Sequence, residues 1–443
     1  MAERIIELDI TGLTAKGDGL GRHNGLAVFV PGALPGERVR AGLEQVKKNY
    51  ARAMLTEILR QSGDRVLPAC PFFAKCGGCV LQHLAYKEQL VWKRRWLKDA
   101  LLRVGGLKAE VLPAIGAKRQ TGYRDRAQLH CAWQNGRLKL GFFAHGSHEL
   151  TKGASCLLLR PLLTRIARLL TELPPHTAEL LAPLRHAALR CDSRGEQAML
   201  TLVGEMEQPG QKLLALAAGL MEREPRLVSV WANRGKAVYG IYGANWCKLA
   251  GAEKLPDSMG DLRLSVSPGA FTQINSPQAR MLYEGVAHYA ALSGCETVLD
   301  AYSGVGSVAL YLADKALFVT GVEEYAPAVA DAVANAKLNG ITNCRFTAGR
   351  AEDVLPRLKA KGFCARVAVV DPPRAGCAAP ALKALAEIKP KRIVYVSCDP
   401  ATLARDARQL ALSGYTLTQA QPLDMFPHTG HVEAIALLQR PEL

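Results

Sequence analysis

The run VLDAYSGVGSVA at residues 298–309 decides the fold class of this 443-residue chain. Apolar residues leading to Asp300 predict a buried strand, and Gly304 and Gly306 predict a tight turn before a helix. A glycine turn of this kind lets the backbone approach a nucleotide closely. The spacing Gly304-x-Gly306-x-x-Ala309 also satisfies the dinucleotide fingerprint, which is a weak signal by itself. A nicotinamide-dependent oxidoreductase is therefore one alternative.

Strand-like and helix-like stretches alternate from about residue 296 to the end of the chain. The predicted strands cover residues 297–300, 317–322, 366–370, 392–397 and 433–438, and examples of the helices are 327–338 and 401–412. This alternation predicts a doubly wound α/β domain with a mostly parallel sheet and helices on both faces. Ligands of such sheets bind at the carboxyl ends of the strands.

Two carboxylates follow predicted strands at that edge. Glu323 ends the second strand, where its carboxylate could bind both hydroxyls of a ribose, in NAD or in S-adenosylmethionine. Asp371 is followed by Pro372 and Pro373, which fix an extended backbone and hold the acid at the strand tip. Nucleic-acid methyltransferases commonly carry such a loop beside the methyl donor, so this second element favours S-adenosylmethionine.

Cys398 is the most informative single residue. It follows the apolar run 393–397, and Asp399 and Pro400 come next as a predicted N-cap and first helical residue. A thiol at the N-terminus of a helix is expected to favour the thiolate, the form that attacks carbon. A lone cysteine is otherwise most often a small core residue. Glu433 opens a later apolar strand, where a carboxylate without a role would be costly.

A cysteine nucleophile and a carboxylate base are together what methylation at a ring carbon requires. C5 of uracil does not attack a sulfonium methyl group directly, but a thiolate that adds at C6 makes C5 nucleophilic. A base must then remove the C5 proton so that the thiol can be eliminated. Transfer to nitrogen or oxygen would need neither group, so Cys398 and Glu433 together indicate carbon methylation.

Three cysteines within ten residues, at Cys70, Cys76 and Cys79, indicate a metal site. A fourth ligand is missing from the run, and Cys156 is the predicted one. The spacing alone does not separate zinc from a [4Fe–4S] cluster. A group of reactive or structural thiols is a further alternative.

Positive charge is concentrated in the first 270 residues. The chain carries a net charge of +16, whereas residues 271–443 hold 17 basic and 16 acidic residues. This asymmetry predicts that the N-terminal part binds nucleic acid. Short, glycine-punctuated strands in residues 1–60 predict a small barrel of the oligonucleotide-binding kind. Lys47, Lys48, Tyr50 and Arg52 form a basic, partly aromatic patch on it.

No targeting or membrane segment is predicted. The opening residues lead into neither a basic region nor a long apolar run, and the apolar stretches are shorter than about 20 residues. Twelve cysteines without a secretory signal predict reduced thiols, metal ligands or a nucleophile rather than disulfides. We expect a cytoplasmic protein with no membrane association and no obligate protein partner.

These motifs, in this order, resemble the RNA 5-methyluridine methyltransferase family, specifically its iron–sulfur branch acting on 23S ribosomal RNA. The resemblance spans nearly the whole chain, and its most specific parts are Ser397-Cys398-Asp399-Pro400 and His431-Val432-Glu433. It implies an S-adenosylmethionine-dependent RNA (uracil-5-)-methyltransferase with Cys398 as nucleophile and Glu433 as base. The transfer RNA branch generally lacks the barrel and the cluster, so the resemblance favours ribosomal RNA.

The resemblance also implies which side chains bind cofactors. The implied contacts to S-adenosylmethionine come from Gln273, Tyr302, Ser307, Glu323 and Asp371. The implied ligands of a [4Fe–4S] cluster are Cys70, Cys76, Cys79 and Cys156. Ser307 stands where the family often has Asn, and Tyr302 where it often has Phe; both keep the type of interaction.

Three domains are expected. They are a TRAM-like RNA-binding barrel at 1–60, a central iron–sulfur and RNA-binding domain at 61–265, and the methyltransferase domain at 266–443. Because no step of the chemistry needs an electron, the cluster is predicted to have a structural or RNA-positioning role. The rivals are an iron–sulfur oxidoreductase using NAD and an RNA-binding protein that has lost activity; the intact Cys398 and Glu433 argue against the second.

Overall fold

A computed structural model describes residues 5–441, apart from the side chains of residues 152, 154 and 178. The chain begins with a closed five-stranded barrel of strand order β1-β2-β3-β5-β4. Its strands are β1 (Ile5–Leu13), β2 (Asp18–His23), β3 (Leu26–Pro31), β4 (Arg38–Val46) and β5 (Tyr50–Arg60). Strict alternation of exposed and buried residues along the start of β1 places Ile6, Leu8 and Ile10 in the barrel core.

Strand β2 is absent from the strands that the sequence predicts in the barrel, which cover residues 7–10, 27–30, 37–40 and 53–58. Its sequence DGLGRH is glycine-rich and polar, which sequence patterns assign to a turn. Tertiary packing requires both glycines, because a Cβ at Gly19 would lie 2.6 Å from the Ala33 carbonyl oxygen and one at Gly21 2.6 Å from that of Asp9. Close backbone approach across the barrel therefore explains a strand that propensity does not predict.

The next segment joins the barrel to the C-terminal half of the chain. Helix α1 (Tyr86–Ala100) continues into a π-helical turn (Leu101–Gly105), and the short strand β6 (Glu110–Val111) follows. Strand β6 adds to the edge of the C-terminal sheet. The domain division at residues 61 and 266 stays a prediction. Strand β6 lies in the predicted central domain by sequence but pairs in the sheet of the C-terminal domain.

A seven-stranded sheet of order β13-β12-β11-β10-β7-β8-β9 forms the centre of the molecule. The strands are β7 (Arg126–Gln134), β8 (Arg137–Phe143), β9 (Leu150–Lys152), β10 (Leu184–Cys191), β11 (Ala198–Gly204), β12 (Leu227–Arg234) and β13 (Asn245–Gly251). The intervening helices are α2 (Pro161–Thr171), the short α3 (Pro175–Ala178) and α4 (Gln211–Arg223). Apolar residues of α2 and α4 pack with one face of the sheet into a single core. A two-stranded ribbon of β14 (Leu255–Met259) and β15 (Leu262–Val266) comes next.

The C-terminal sheet has eight strands in the order β18-β17-β16-β19-β20-β22-β21-β6. Its strands are β16 (Thr297–Asp300), β17 (Phe318–Glu323), β18 (Cys344–Ala348), β19 (Val367–Val370), β20 (Arg392–Ser397), β21 (Thr416–Leu423) and β22 (Glu433–Gln439). Its helices are α5 (Ser276–Ala290), α6 (Ser307–Leu312), α7 (Ala326–Leu338), α8 (Ala351–Ala360), α9 (Ala379–Ile388) and α10 (Pro400–Leu412).

Strands β16 to β20 run parallel, and β22 lies antiparallel between β20 and β21. Helices α8, α9 and α10 contribute to the core on one face, and α5 and α6 to the core on the other. The predicted doubly wound α/β domain is thereby confirmed. Strands β18 and β21 are additional to those expected, because their half-buried polar sequences lack a clear apolar run. In residues 5–441 no helix has the length and apolar character needed to cross a membrane.

Candidate active site

Four parallel strands end at one edge of the C-terminal sheet, and this edge carries the predicted site. The turn after β16 begins at Asp300, and Gly304 and Gly306 adopt positive φ angles of 53° and 85°. Such angles favour glycine and let the turn curl tightly before α6. Two buried atoms beside the turn, Oδ2 of Asp300 and Oγ of Ser303, have no hydrogen-bond partner among the described residues. Buried polar atoms of this kind suit a bound polar ligand.

Glu323 braces the same turn from the end of β17. One carboxylate oxygen accepts a hydrogen bond from the Gly304 amide at 3.0 Å, and the other from the Tyr325 amide at 2.7 Å. Burial raises the pKa of Glu323 above its usual range, while these two amides oppose the shift. Each oxygen keeps acceptor capacity, which fits the predicted contact to a ribose.

Asp371 lies at the tip of β19, where Gln273 donates a hydrogen bond to it at 3.4 Å. Burial raises the pKa of Asp371 to about 7, although the Gln273 amide lowers it. Gln273 and Ser307 line one open cavity of about 710 Å³, together with Tyr283. The structure thus brings the predicted residues Gln273, Ser307 and Asp371 to one place.

Tyr302 differs from a residue whose whole side chain is free to contact a ligand. Its side chain packs against the core beneath the sheet edge, and its hydroxyl is hydrogen-bonded to Cys377. Burial, followed by the Cys377 thiol, raises the pKa of Tyr302 well above its usual range. The hydroxyl is therefore engaged inside the protein, and only the ring is left for a ligand.

Cys398 follows β20 directly and precedes the N-terminus of α10. Asp399 is the N-cap, as predicted: its Oδ1 accepts from the amides of Ala401 at 2.9 Å and Thr402 at 3.0 Å. The prediction that Cys398 favours the thiolate is wrong, given the groups that surround it. Burial, then the carboxylates of Glu433 and Asp371, raises the pKa of the half-buried Cys398 to about 11. The N-terminus of α10 does not lower the pKa of Cys398 enough to outweigh these effects.

Glu433 lies beside Cys398 through strand pairing. Ser397 pairs with Ala434 in the β20–β22 ladder, so the next residues on the two strands, Cys398 and Glu433, meet at the sheet edge. Glu433 is only 2% exposed. Burial and the Asp371 carboxylate raise the pKa of Glu433 well above its usual value. A buried carboxylate with a raised pKa is a competent general base.

Arg374 has a role that the sequence analysis did not assign. It is the one cation among the causes of the shifts at both Cys398 and Glu433, and it lowers the pKa of each. Its guanidinium also lies 3.4 Å from a ring nitrogen of the exposed His431. The sequence signal that could have indicated this role is the position of Arg374, a basic residue directly after the two prolines at a strand tip.

The loop before Glu433 is held by buried contacts from helix α1. Lys93 and Asp424 form a fully buried ion pair at 2.5 Å, and Tyr86 donates a hydrogen bond to the same carboxylate at 2.8 Å. Gln89 accepts from the backbone amide of His428, a residue with a positive φ of 68°. No pattern in the sequence connected residues 86–93 with this loop.

The four predicted metal-binding cysteines line a single cavity. Cys70, Cys76, Cys79 and Cys156 come together there, next to Arg124. Within the described part of the chain, no group of three or more His, Cys, Asp or Glu side chains is arranged to hold a metal ion. Four convergent thiols nevertheless form a donor set suited to an iron–sulfur cluster, which is larger than one ion.

Known proteins resemble this chain over its full length. A family model described as tRNA (uracil-5-)-methyltransferase matches residues 253–441, and one for the TRAM domain matches residues 2–56. An uncharacterized RNA methyltransferase of Caldanaerobacter subterraneus is 40% identical, covering 98% of each chain. Another, from Clostridium tetani, is 39% identical over 97% of this chain and 95% of its own.

One solved structure adds a ligand to the comparison. The Pyrococcus abyssi tRNA (uracil-54, C5)-methyltransferase, in complex with S-adenosyl-L-homocysteine, has a TM-score of 0.72 and 26% identity. The match covers 98% of this chain and 99% of that one. The fold is that of an S-adenosylmethionine-dependent RNA methyltransferase. Within that class, the chain belongs to the RNA uracil-5-methyltransferase family and carries an N-terminal TRAM domain.

These matches bear on the alternatives. They show that the chain belongs to a methyltransferase family, so the alternative of an NAD-dependent oxidoreductase is wrong. The names of these relatives mention no iron–sulfur cluster, and the cluster therefore stays a proposal.

Proposed function

We propose that this protein transfers a methyl group from S-adenosylmethionine to C5 of a specific uridine in 23S ribosomal RNA. The observation that supports this most strongly is the convergence of Cys398, Glu433 and Asp371 at one sheet edge. A thiol and a buried base side by side are needed for methylation at carbon and not for transfer to nitrogen or oxygen.

The Cys398 thiol loses its proton to solvent and its sulfur attacks C6 of the target uracil, so that the C5=C6 electron pair becomes an enolate that is nucleophilic at C5. Arg374 offsets the negative charge that develops at this position, because its guanidinium is the cation that opposes the two carboxylates. After methylation, Glu433 removes the C5 proton, and the bond between Cys398 and C6 then breaks. The target uridine must leave its stack to reach a site this deep in the cleft.

Gln273, Tyr302, Ser307, Glu323 and Asp371 would hold S-adenosylmethionine, which when bound supplies an electrophilic methyl group. Glu323 fits the ribose because one of its oxygens contacts the glycine turn at Gly304, and both oxygens keep acceptor capacity. Gln273 and Ser307 border the open cavity. The engaged hydroxyl of Tyr302 restricts that residue to ring contacts.

Cys70, Cys76, Cys79 and Cys156 would hold a [4Fe–4S] cluster, whose contribution would be to cross-link the segments that carry them. The reaction as written needs no electron. A structural or RNA-positioning role is therefore the one we propose for it. Stripping the cluster should weaken RNA binding or the fold; intact fold and affinity with lost methyl transfer would contradict this role.

Transfer RNA is the second candidate substrate. The Pyrococcus abyssi relative, whose described substrate is uracil 54 of tRNA, aligns along the whole of this chain, barrel included. The presence of an N-terminal barrel therefore does not separate the two substrates. The assignment of ribosomal RNA as the substrate is supported only by the resemblance of the sequence motifs to the ribosomal RNA branch of the family.

The test uses 5-fluorouridine-substituted 23S ribosomal RNA and transfer RNA, each incubated with enzyme and S-adenosylmethionine and run on a denaturing gel. Fluorine at C5 cannot leave as a proton, so a covalent protein–RNA band should accumulate with the true substrate and be absent in Cys398→Ala. A band with transfer RNA alone would replace the ribosomal assignment. No band with either RNA would overturn carbon methylation.

A further inference from the structure

Helices α2 and α4 pack on one face of the central seven-stranded sheet. Alternate residues of β7, including Ala127 and Leu129, point into the core formed with α2 and α4. The residues between them lie on the opposite face and are half-exposed along β7. We call this opposite surface of β7, β8 and β10 the open face.

The open face contains no acidic residue. Strand register places twelve residues of β7, β8 and β10 on it: Arg126, Gln128, His130, Ala132, Gln134, Arg137, Lys139, Gly141, Phe143, His186, Ala188 and Arg190. Four of the twelve are Arg or Lys; Arg190 is buried, as is Ala188, so Arg126, Arg137 and Lys139 supply the positive charge at the surface. A surface with this charge complements a polyanion.

Aromatic rings cluster at one end of the open face. The His130 ring stacks on Phe143 with centroids 3.9 Å apart and 29° between planes, and His186 lies 4.8 Å from His130. His148 meets Phe143 edge-on at 5.2 Å. Burial lowers the pKa of His186 to about 4, so this ring is neutral at pH 7 and does not repel His130. Flat, neutral, half-exposed rings are the surfaces on which unpaired bases stack.

The other end of the open face leads to the candidate active site. The Arg190 guanidinium donates a hydrogen bond to the Ala270 carbonyl, three residues before Gln273. Asp125, immediately before β7, accepts from the Ser276 amide at 2.8 Å. From Arg126 to His130 the strand extends roughly 13 Å, a length that suits a few extended nucleotides. An RNA strand that enters the active site can therefore continue along this face.

The cysteine-bearing loop supports the aromatic end. The Gly77 amide donates to the Phe143 carbonyl at 3.1 Å, and the His145 amide to the Lys75 carbonyl at 2.9 Å. Cys76 also forms an isolated bridge with Ala144. The segment that would hold the cluster thus fixes the position of Phe143 through backbone hydrogen bonds.

We propose that the open face binds the single-stranded RNA next to the target uridine, with bases stacked on His130, Phe143 and His186 and phosphates near Lys139 and Arg137. This inference rests on the proposed function, because the RNA must thread from this face into the site. Single-stranded rather than duplex RNA is the occupant, since paired bases do not expose their rings for stacking.

The test measures binding of a fluorescein-labelled oligouridylate of about twelve nucleotides to the full-length protein, without S-adenosylmethionine. His130→Ala and Phe143→Leu should each weaken binding roughly ten-fold. Lys139→Gln should lower the slope of log affinity against log salt by about 0.7. A duplex of the same length should be insensitive to the aromatic substitutions.

Matched controls come from the opposite side of the same sheet. Trp133→Leu removes an exposed aromatic on β7 that pairs with the buried Leu138, and Lys212→Gln removes an exposed charge on α4. Neither should change binding. Oligouridylate binding that is absent from wild type, or unchanged in His130→Ala and Phe143→Leu, would overturn the open-face proposal. Methyl transfer to RNA is assayed separately, so wild type that binds but never methylates would fail the proposed function alone.

Discussion

At the residue scale, Cys398 and Glu433 share one electrostatic environment. The carboxylates of Glu433 and Asp371 disfavour a thiolate at Cys398, and Arg374 opposes them. The same guanidinium favours an ionised Glu433, whereas Asp371 disfavours it. Because one cation acts on both groups, a change at Arg374 should alter both halves of the reaction.

The raised pKa of Cys398, about 11, predicts a pH dependence for its reactivity. A thiol with a raised pKa holds little thiolate at pH 7, and the fraction grows about ten-fold per pH unit up to the pKa. Alkylation of Cys398 by iodoacetamide, followed by mass spectrometry, should therefore accelerate steadily from pH 7 to pH 10. Arg374→Gln should slow alkylation at every pH in this range, and Arg374→Lys should largely restore it. A rate that levels off below pH 8 would show that the helix N-terminus dominates.

Glu433→Gln separates the two chemical steps. The glutamine is similar in shape and is not a base, so Cys398 can still attack and C5 can be methylated once. Release should then fall by about 10²- to 10⁴-fold, and a covalent complex with ordinary uridine RNA should accumulate on a denaturing gel. Cys398→Ala should give neither product nor complex. Normal turnover by Glu433→Gln would remove this residue from the mechanism.

At the element scale, the barrel presents its positive charges in two ways. Arg40 bonds Glu7 at 2.9 Å and also pairs with Glu57, and Arg60 pairs with Asp9 at 3.2 Å. Lys47 and Lys48 instead lie exposed in the β4–β5 connection. Lys47 is 5.5 Å above the Tyr50 ring, which meets Phe29 edge-on. Among the residues that the structure describes, neither Lys47 nor Lys48 forms an ion pair with a carboxylate.

This difference predicts which end of the barrel matters for RNA. The double variant Lys47→Gln/Lys48→Gln should bind RNA more weakly and with a shallower salt dependence, because two phosphate contacts are lost. Arg38→Gln/Arg40→Gln removes the same formal charge from the paired side and should change affinity less. Filter binding at several salt concentrations measures both variants. Equal losses of RNA affinity would mean that affinity depends on net charge and not on where the charge lies.

At the scale of the whole molecule, three separate segments hold the loop that leads to Glu433. Helix α1 contributes the Lys93–Asp424 pair. The amides of Val80 and Leu81, beside the cysteine loop, donate to the His428 carbonyl at 3.1 and 3.0 Å. A Cβ on Gly430 would collide with the Ala15 carbonyl of the barrel. The base is thus positioned by parts of the chain more than 300 residues away in sequence.

The buried Lys93–Asp424 pair should be costly to break on one side only. Lys93→Met leaves the Asp424 carboxylate buried with the Tyr86 hydroxyl as its one side-chain donor among residues 5–441, and should destabilise the protein by about 3–5 kcal/mol. The double variant Lys93→Met/Asp424→Leu should recover a large part of that loss, because no unpaired charge remains. Urea unfolding measures both, and a double variant as unstable as the single one would contradict this account.

Gly430→Ala tests the contact between barrel and active site. The added Cβ would meet backbone rather than a flexible side chain, so the barrel or the loop must shift. We expect loss of methyl transfer together with a lower Tm. Gly42→Ala, in barrel strand β4 with nothing within 4 Å of its Cβ, is the matched control and should keep activity. Full activity in Gly430→Ala would show that the loop does not depend on barrel docking.

Local sequence was sufficient for the elements with strong periodicity. The runs ending at Asp300, Glu323 and Ser397 are strands, and α10 begins at Pro400 behind its Asp399 cap. Strand β2 and strand β18 were not predictable, because their half-buried positions are defined by neighbours rather than by their own pattern. The open face also escaped prediction, since its residues belong to three strands that only the register brings together.

The sequence by itself determined the chemistry that this protein can support and the class of its catalytic domain. A glycine turn, the acids at three strand tips, Cys398 and Glu433 are local signals, because each is a short motif whose meaning depends on adjacent residues. Only the tertiary structure decided how those groups behave. The pKa of Cys398, the role of Arg374 and the anchoring of the Glu433 loop by Lys93 arise from groups far apart in the chain. Burial and charge act through space, so the order of residues cannot reveal them.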